Sequence, residues 1–136
     1  MPYIDANVII YPVLYTEEQE PKVNPAKQIL LNIAEGELQA YTSTLTWDEV
    51  VWIVRKTMGR DEAVSQGQKL LGFSNLNWIP VDDNILSRSQ AVMSKYALGP
   101  RDSIHIASAV DRKIHLVISD DEDFDRVKEI RRQPLI

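Results

Sequence analysis

Five carboxylates in four separated stretches are the residues on which chemistry could be built. They are Asp5 in YIDANVII, Glu49 in TSTLTWDEVVWIV, Asp102 in LGPRDSIHIASA, and Asp121 with Asp123 in VISDDEDF. Carboxylates packed together without compensating charge repel one another and take up protons. The most economical neutraliser is a hard divalent cation, Mg²⁺ or Mn²⁺, held by a few carboxylate oxygens with waters completing the shell. An arginine is the other option, and Arg101, adjacent to Asp102, is the nearest in sequence. A metal held this way makes water more acidic and stabilises charge on the oxygens of a phosphodiester, with no need for a cysteine, a histidine or a covalent nucleophile. The composition suits that chemistry: the chain has 0 cysteines and 2 histidines, so thiolate sites and disulfides are excluded.

Taken singly, each acid also has a structural explanation. Asp102 and Glu49 lie near helix starts, where the macrodipole and capping favour acids. Asp121 and Asp123 belong to a charge run that could be a solvated turn, and the flanking Asp120 is expected to be solvated. Asp5 is harder to dismiss, because Ile4, Val8, Ile9 and Ile10 surround it in sequence and a buried carboxylate must be paired, hydrogen-bonded or metal-bound.

The elements that must deliver these acids alternate in type. Residues 2 to 5 read as a strand entering a helix that Pro12 should close or kink early. Asn24 and Pro25 then form a cap and first-turn proline for a helix ending near Gly36, and residues 38 to 41 form a short strand. Thr46 can cap the next helix, in which Trp47, Val50, Val51, Val54 and Met58 recur at helical spacing. A helix over 61 to 73, a strand at 77 to 81, helices over 84 to 97 and from Arg101 onward, and a strand at 115 to 119 complete the series. Strands alternating with helices imply an α/β/α sandwich of three layers around a mainly parallel sheet. In such sheets ligands bind outside the carboxyl ends of the strands, and the five acids could meet there.

At this point the sequence resembles the PIN-domain ribonucleases, and among them the VapC-type toxins of toxin–antitoxin pairs. YIDANVII is similar to a first motif, a strand-end aspartate with asparagine two residues later. TSTLTWDEVVWIV is similar to a second, giving Glu49, with Asp48 as the less favoured substitute. LGPRDSIHIASA resembles a third, giving Asp102, and VISDDEDF a fourth, giving Ser119, Asp121, Asp123 and Phe124. The correspondence spans essentially residues 1 to 136 as one nuclease domain. It implies an endoribonuclease that cuts RNA, often tRNA or rRNA, with one or two Mg²⁺ or Mn²⁺ ions, held inactive by a small antitoxin and assembled as a dimer or dimer of dimers. Under that resemblance Asp5 and Asp102 hold the main metal, Asp121 and Asp123 complete it or hold a second, and Glu49 orients or deprotonates the attacking water. Asn7 and Ser119 would support the carboxylates through hydrogen bonds.

Bulk properties neither forbid nor require this. The 136 residues are 44% hydrophobic and 26% charged, the profile of one soluble domain. No apolar run approaches the roughly 20 residues of a membrane span, and no secretory leader is recognisable, so a cytoplasmic location is expected. The net charge of −5 argues against broad nonspecific binding of nucleic acid. Two bound divalent ions would offset about four of those charges. Arg55, Lys56, Arg60 and Arg101 are the candidate phosphate contacts, although a solvated helix end explains the first three as well. His105, three residues after Asp102, is expected to pack or cap rather than act, and His115 to have no chemical role. Trp47 and Trp52 fit packing or an interface better than base stacking, with Trp78 a further aromatic face.

Rival functions are a phosphatase with an aspartyl nucleophile, a phosphate-accepting receiver, a PIN-like RNA-processing nuclease without an antitoxin, and a domain that only binds partners. Asn7 stands where the phosphatase would have a second aspartate. HLVISDDEDF lacks the lysine a receiver would carry after its last core strand.

Overall fold

The computed structural model describes residues 1–136, and all five strands of its sheet run parallel. In chain order the elements are β1 (Tyr3–Ile4), α1 (Ala6–Leu14), α2 (Val23–Ala34), β2 (Ala40–Ser43), α3 (Thr44–Met58), α4 (Arg60–Leu71), β3 (Leu76–Ile79), α5 (Asp83–Tyr96), α6 (Pro100–Asp111), β4 (Leu116–Ile118), a 3-10 turn (Glu122–Arg126) and β5 (Arg131–Gln133). The strand order is β3-β2-β1-β4-β5, so β1 is central and the topology reverses on either side of it. None of the helices is long and apolar enough to cross a membrane.

Alternation along the strands sets the three layers. In β1, Tyr3 and Ile4 are both fully buried but point to opposite faces, as successive strand residues must. Ile4 joins a core with α1 to α4, through Val8, Ile9, Ala26, Ile33, Val50, Val54, Ala63 and Leu70. Tyr3 joins a second core on the other face with Leu98, Ile106, Ala109, Val117 and Phe124. This is the α/β/α arrangement expected from the alternation of elements.

Several local boundaries differ from the sequence reading, each for an identifiable reason. Pro12 lies inside α1, which continues to Leu14 before Tyr15 N–H closes the last turn on the Tyr11 carbonyl. Asn24 does not cap α2: the helix starts at Val23 behind Lys22, and Pro25 is accommodated in the first turn, where its missing N–H has no helical partner to lose. The second strand begins at Ala40 rather than Leu38, because Leu38 N–H is taken by the Asn32 carbonyl in the turn that ends α2, where Gly36 adopts φ +82. Thr46 is not the cap of α3. It lies inside the helix, fully buried, with its hydroxyl 2.6 Å from that of Thr42, and Ser43 occupies the N-cap position.

β5 has no counterpart in the sequence reading. Its residues, Arg-Arg-Gln, show no apolar alternation, because an edge strand pairs on one side only and here keeps mostly exposed side chains.

Candidate functional site

All five candidate acids lie at the carboxyl end of the sheet. Asp5 follows β1 directly and caps α1, accepting from Ala6 N–H at 2.7 Å. Glu49 lies in the second turn of α3, which follows β2, and Asp102 in the first turn of α6. Asp121 caps the 3-10 turn after β4, accepting from Asp123 N–H at 2.9 Å. The central position of β1 therefore brings α1, α3, α6 and the β4 loop to one place.

The side chains gather in two groups, and the ligand atoms within each lie inside 4.8 Å of one another. Asp5, Glu49 and His105 form the inner group; Asp102, Asp121 and Asp123 form the outer one. Asp5 and Asp102 fall in different groups, yet are near enough that the charge of Asp5 acts on Asp102.

In the inner group Asp5 and His105 are buried and Glu49 is half-buried, and the group is extensively hydrogen-bonded. Ser119 Oγ donates to Asp5 Oδ2 at 2.6 Å, and Asn7 Nδ2 approaches the same oxygen at 3.3 Å. His105, only 1% exposed, places Nε2 at 2.5 Å from Glu49 Oε1 and 3.4 Å from Asp5 Oδ1. Its Nδ1 lies 2.6 Å from the Tyr3 hydroxyl, which also accepts from Ser43 N–H at 3.1 Å. Burial raises the Asp5 pKa against the lowering influence of His105 and Ser119. Burial alone would lower the pKa of His105, but Tyr3, Asp5 and Glu49 together hold it well above the ordinary imidazole value. His105 is thus neither a helix cap nor simple packing. It is the hydrogen-bonding neighbour of the half-buried Glu49 beside the buried Asp5, in the neutralising role for which an arginine, Arg101 the nearest in sequence, was the alternative to a metal ion. Arg101 is exposed and forms no ion pair with these acids.

The outer group lacks such a partner. Desolvation, with Asp121 as charge and hydrogen-bond neighbour, pushes the Asp102 pKa up to about 7. The one cation touching the group is Arg126, 3.1 Å from Asp123 on an exposed surface. The group therefore consists of oxygen donors whose charge the protein leaves largely uncompensated, the donor set a hard divalent cation fits. The Asn7 Oδ1 beside Asp5 is buried with no hydrogen-bond partner, a further unsatisfied oxygen at the same edge.

The loop bearing Asp121 and Asp123 is fastened on both sides. Asp120 is not solvated: Lys22 pairs with it, and Tyr11 Oη donates to it at 2.9 Å. Arg132, from the unforeseen strand β5, binds both oxygens of Asp125 at 2.9 and 3.1 Å and donates to the Ser119 carbonyl at 3.1 Å. Ser119 Oγ accepts from Asp121 N–H at 3.0 Å, so one residue touches both Asp5 and the Asp121 backbone.

The remaining candidates lie farther out. Asp48 is exposed beside the inward Glu49. Arg55 and Arg60 rim a cavity of about 400 Å³ between α3 and α4, floored by Trp47, Val51 and Ala63. Lys56 sits over the Trp52 ring at 5.0 Å, on a tryptophan that is 53% exposed. Trp78 packs against the α1 to α4 core. His115 is exposed, with Nδ1 3.1 Å from the Glu129 carbonyl. Of the four basic candidates, Arg101 alone shares a helical turn with a site acid.

No curated protein sequence matches the chain. Solved structures do match in fold. VapC20 from Mycobacterium tuberculosis, described as a sarcin–ricin loop cleaving toxin, superposes with TM-score 0.75 at 14% identity, over 96% of this chain and 99% of its own. VapBC2 from Rickettsia felis, bound to a promoter DNA fragment, gives 0.73 at 14% identity, over 98% of each chain. A toxin–antitoxin complex from Klebsiella pneumoniae gives 0.69 at 24% identity, over 96% of each. The sequence itself matches the PIN domain over residues 3–130, a span that includes every acid of both groups. With the acids of four segments brought to the carboxyl edge of a parallel sheet, this chain belongs to the PIN domain family.

Proposed function

We propose that the protein is a metal-dependent endoribonuclease and the toxin of a VapBC-type pair, cutting RNA to leave a 5′-phosphate and a 3′-hydroxyl. The observation that carries this reading is the outer group of Asp102, Asp121 and Asp123, whose mutual repulsion the protein relieves only in part, through the exposed Arg126 beside Asp123 and the charge of His105. Membership of the PIN family supports the nuclease activity. The antitoxin is proposed by analogy with the toxin–antitoxin complexes of the same fold. The sarcin–ricin loop named for the Mycobacterium protein makes a structured RNA loop the first substrate to test, with rRNA and tRNA as the wider classes. A homodimer or higher assembly belongs to the same proposal.

Asp102, Asp121 and Asp123 are the residues that would hold Mg²⁺ or Mn²⁺, with Asp5 at the junction of the two groups. Such an ion supplies positive charge to the phosphodiester oxygens and makes water a better nucleophile at neutral pH. The chain's own residues supply the rest. Glu49 takes the proton of the attacking water, from a carboxylate already oriented by His105. Ser119 and Asn7 hold Asp5, and Ser119 also fixes the Asp121 backbone. Arg101, exposed beside Asp102, would meet a backbone phosphate of the RNA.

Calorimetric titration with Mn²⁺, run alongside RNA cleavage with and without EDTA, tests this reading. Binding and cleavage that both disappear in Asp102→Asn are expected. A protein that binds no divalent cation, or cuts RNA equally well in EDTA, is not this enzyme.

A further inference from the structure

The hydrogen-bond inventory around Tyr3 fixes which nitrogen of His105 carries a hydrogen. Tyr3 is fully buried, and its hydroxyl oxygen has two partners, Ser43 N–H and His105 Nδ1. The amide can only donate. The phenolic hydrogen therefore has one acceptor within reach, the Nδ1 atom, and placing a hydrogen on Nδ1 instead would leave a buried hydroxyl hydrogen without a partner. With Nδ1 accepting, the ring hydrogen lies on Nε2, the nitrogen that faces Glu49 at 2.5 Å and Asp5 at 3.4 Å. Those two carboxylates can only accept when ionised, so the polarity of the whole chain agrees: Ser43 N–H to Tyr3, Tyr3 O–H to Nδ1, Nε2–H to Glu49.

We propose that Tyr3 and His105 form a positioning pair, in which Tyr3 locks the Nε2–H form of His105 and Nε2–H holds Glu49 in place beside Asp5. His105 then presents a hydrogen rather than a lone pair to the inner group, so it is not a metal ligand, although its position among two carboxylates would suit one. Four elements are linked by this chain: β1 through Tyr3, the β2–α3 junction through Ser43, α6 through His105 and α3 through Glu49. The catalytic meaning of the pair rests on the nuclease reading above; the placement of the hydrogen does not.

The chain contains two histidines, which makes nitrogen NMR of the imidazoles direct. Long-range proton–nitrogen spectra of ¹⁵N-histidine-labelled protein, with His115→Asn to assign the signals, are recorded with and without saturating Mg²⁺. In the neutral imidazole, His105 Nε2 should carry the hydrogen in both spectra, with Nδ1 unprotonated and hydrogen-bonded. In Tyr3→Phe the Nδ1 signal should move, because its donor is gone. RNA cleavage by that variant should lose roughly tenfold to a hundredfold in kcat with little change in KM. His105→Gln, which can offer one N–H toward Glu49, should retain more activity than His105→Ala.

A bare Nε2 in the Mg²⁺-loaded protein would overturn the proposal by making His105 a ligand. So would a hydrogen on Nδ1 alone, or a Tyr3→Phe spectrum identical to that of the wild type. If RNA is never cleaved, the nuclease reading fails, and the NMR result still decides where the hydrogen lies.

Discussion

Ser119 Oγ donates to Asp5 Oδ2 at 2.6 Å across 114 positions of sequence, and the same oxygen accepts from Asp121 N–H at 3.0 Å. One hydroxyl thus couples an acid of the inner group to the backbone that carries the outer one.

Ser119→Ala removes both contacts inside the protein, where Ser119 is fully buried. Losing a buried hydrogen bond to a charged group costs about 1.5–3 kcal/mol, and loss of an orienting partner typically weakens metal binding about 10- to 100-fold. Thermal melting and Mn²⁺ titration should show both effects, and unchanged metal affinity would mean that Ser119 orients nothing.

The elevated Asp102 pKa gives the metal-free protein a predictable pH dependence. Its folded pKa of about 7 lies above the ordinary 3.8, so the folded state binds this proton more tightly than the unfolded chain does. The resulting stabilisation is complete below the unfolded value and disappears as pH rises through about 7. Asp5 and His105, both shifted upward, act in the same direction. In EDTA the protein should therefore melt at a higher temperature near about pH 5.5 than near about pH 7.5, and Asp102→Asn should flatten that difference. Metal binding should release protons in the same range, because the ion competes for the Asp102 carboxylate. A wild-type melting temperature that rises across the interval would contradict this.

The two fastenings of the β4 loop predict different phenotypes for neighbouring acids. Asp120 is occupied by Lys22 and Tyr11, so Asp120→Asn should leave Mn²⁺ affinity within about twofold, whereas Asp121→Asn should lower it by at least tenfold. Equal losses in the two variants would place Asp120 among the ligands.

Arg132 should matter through geometry as well as charge. Arg132→Ala should accelerate hydrogen exchange of the Asp121, Asp123 and Phe124 amides and weaken Mn²⁺ binding. Arg132→Lys should restore little, because an ammonium cannot reproduce the two-pronged contact with Asp125 together with the bond to the Ser119 carbonyl. Exchange rates unchanged in both variants would remove the Arg132 side chain from any part in holding the loop.

The placement of the acids was legible because it follows from alternation of element type: once strands near residues 4, 41 and 118 are recognised, Asp5, Glu49 and Asp121 must follow their carboxyl ends. What the sequence did not disclose depends on contacts between distant positions. His105 reads as packing or capping from its spacing to Asp102, because the residues that define its role, Tyr3 and Glu49, lie 102 and 56 positions away. Lys22 is 98 positions from Asp120, so nothing local marks that aspartate as paired. β5 was invisible for a different reason: its Arg-Arg-Gln sequence has no apolar alternation, and its contribution to the site comes through the Arg132 side chain and the Gln133 carbonyl that accepts from Ser119 N–H.

The most direct test of the central claim is end-group analysis of a defined RNA incubated with the wild-type protein and Mg²⁺ or Mn²⁺, beside an EDTA control and Asp5→Asn. The account predicts metal-dependent cuts bearing a 5′-phosphate and a 3′-hydroxyl, absent from both controls. Cyclic-phosphate ends, or equal cutting by wild type in EDTA and by Asp5→Asn, would contradict it.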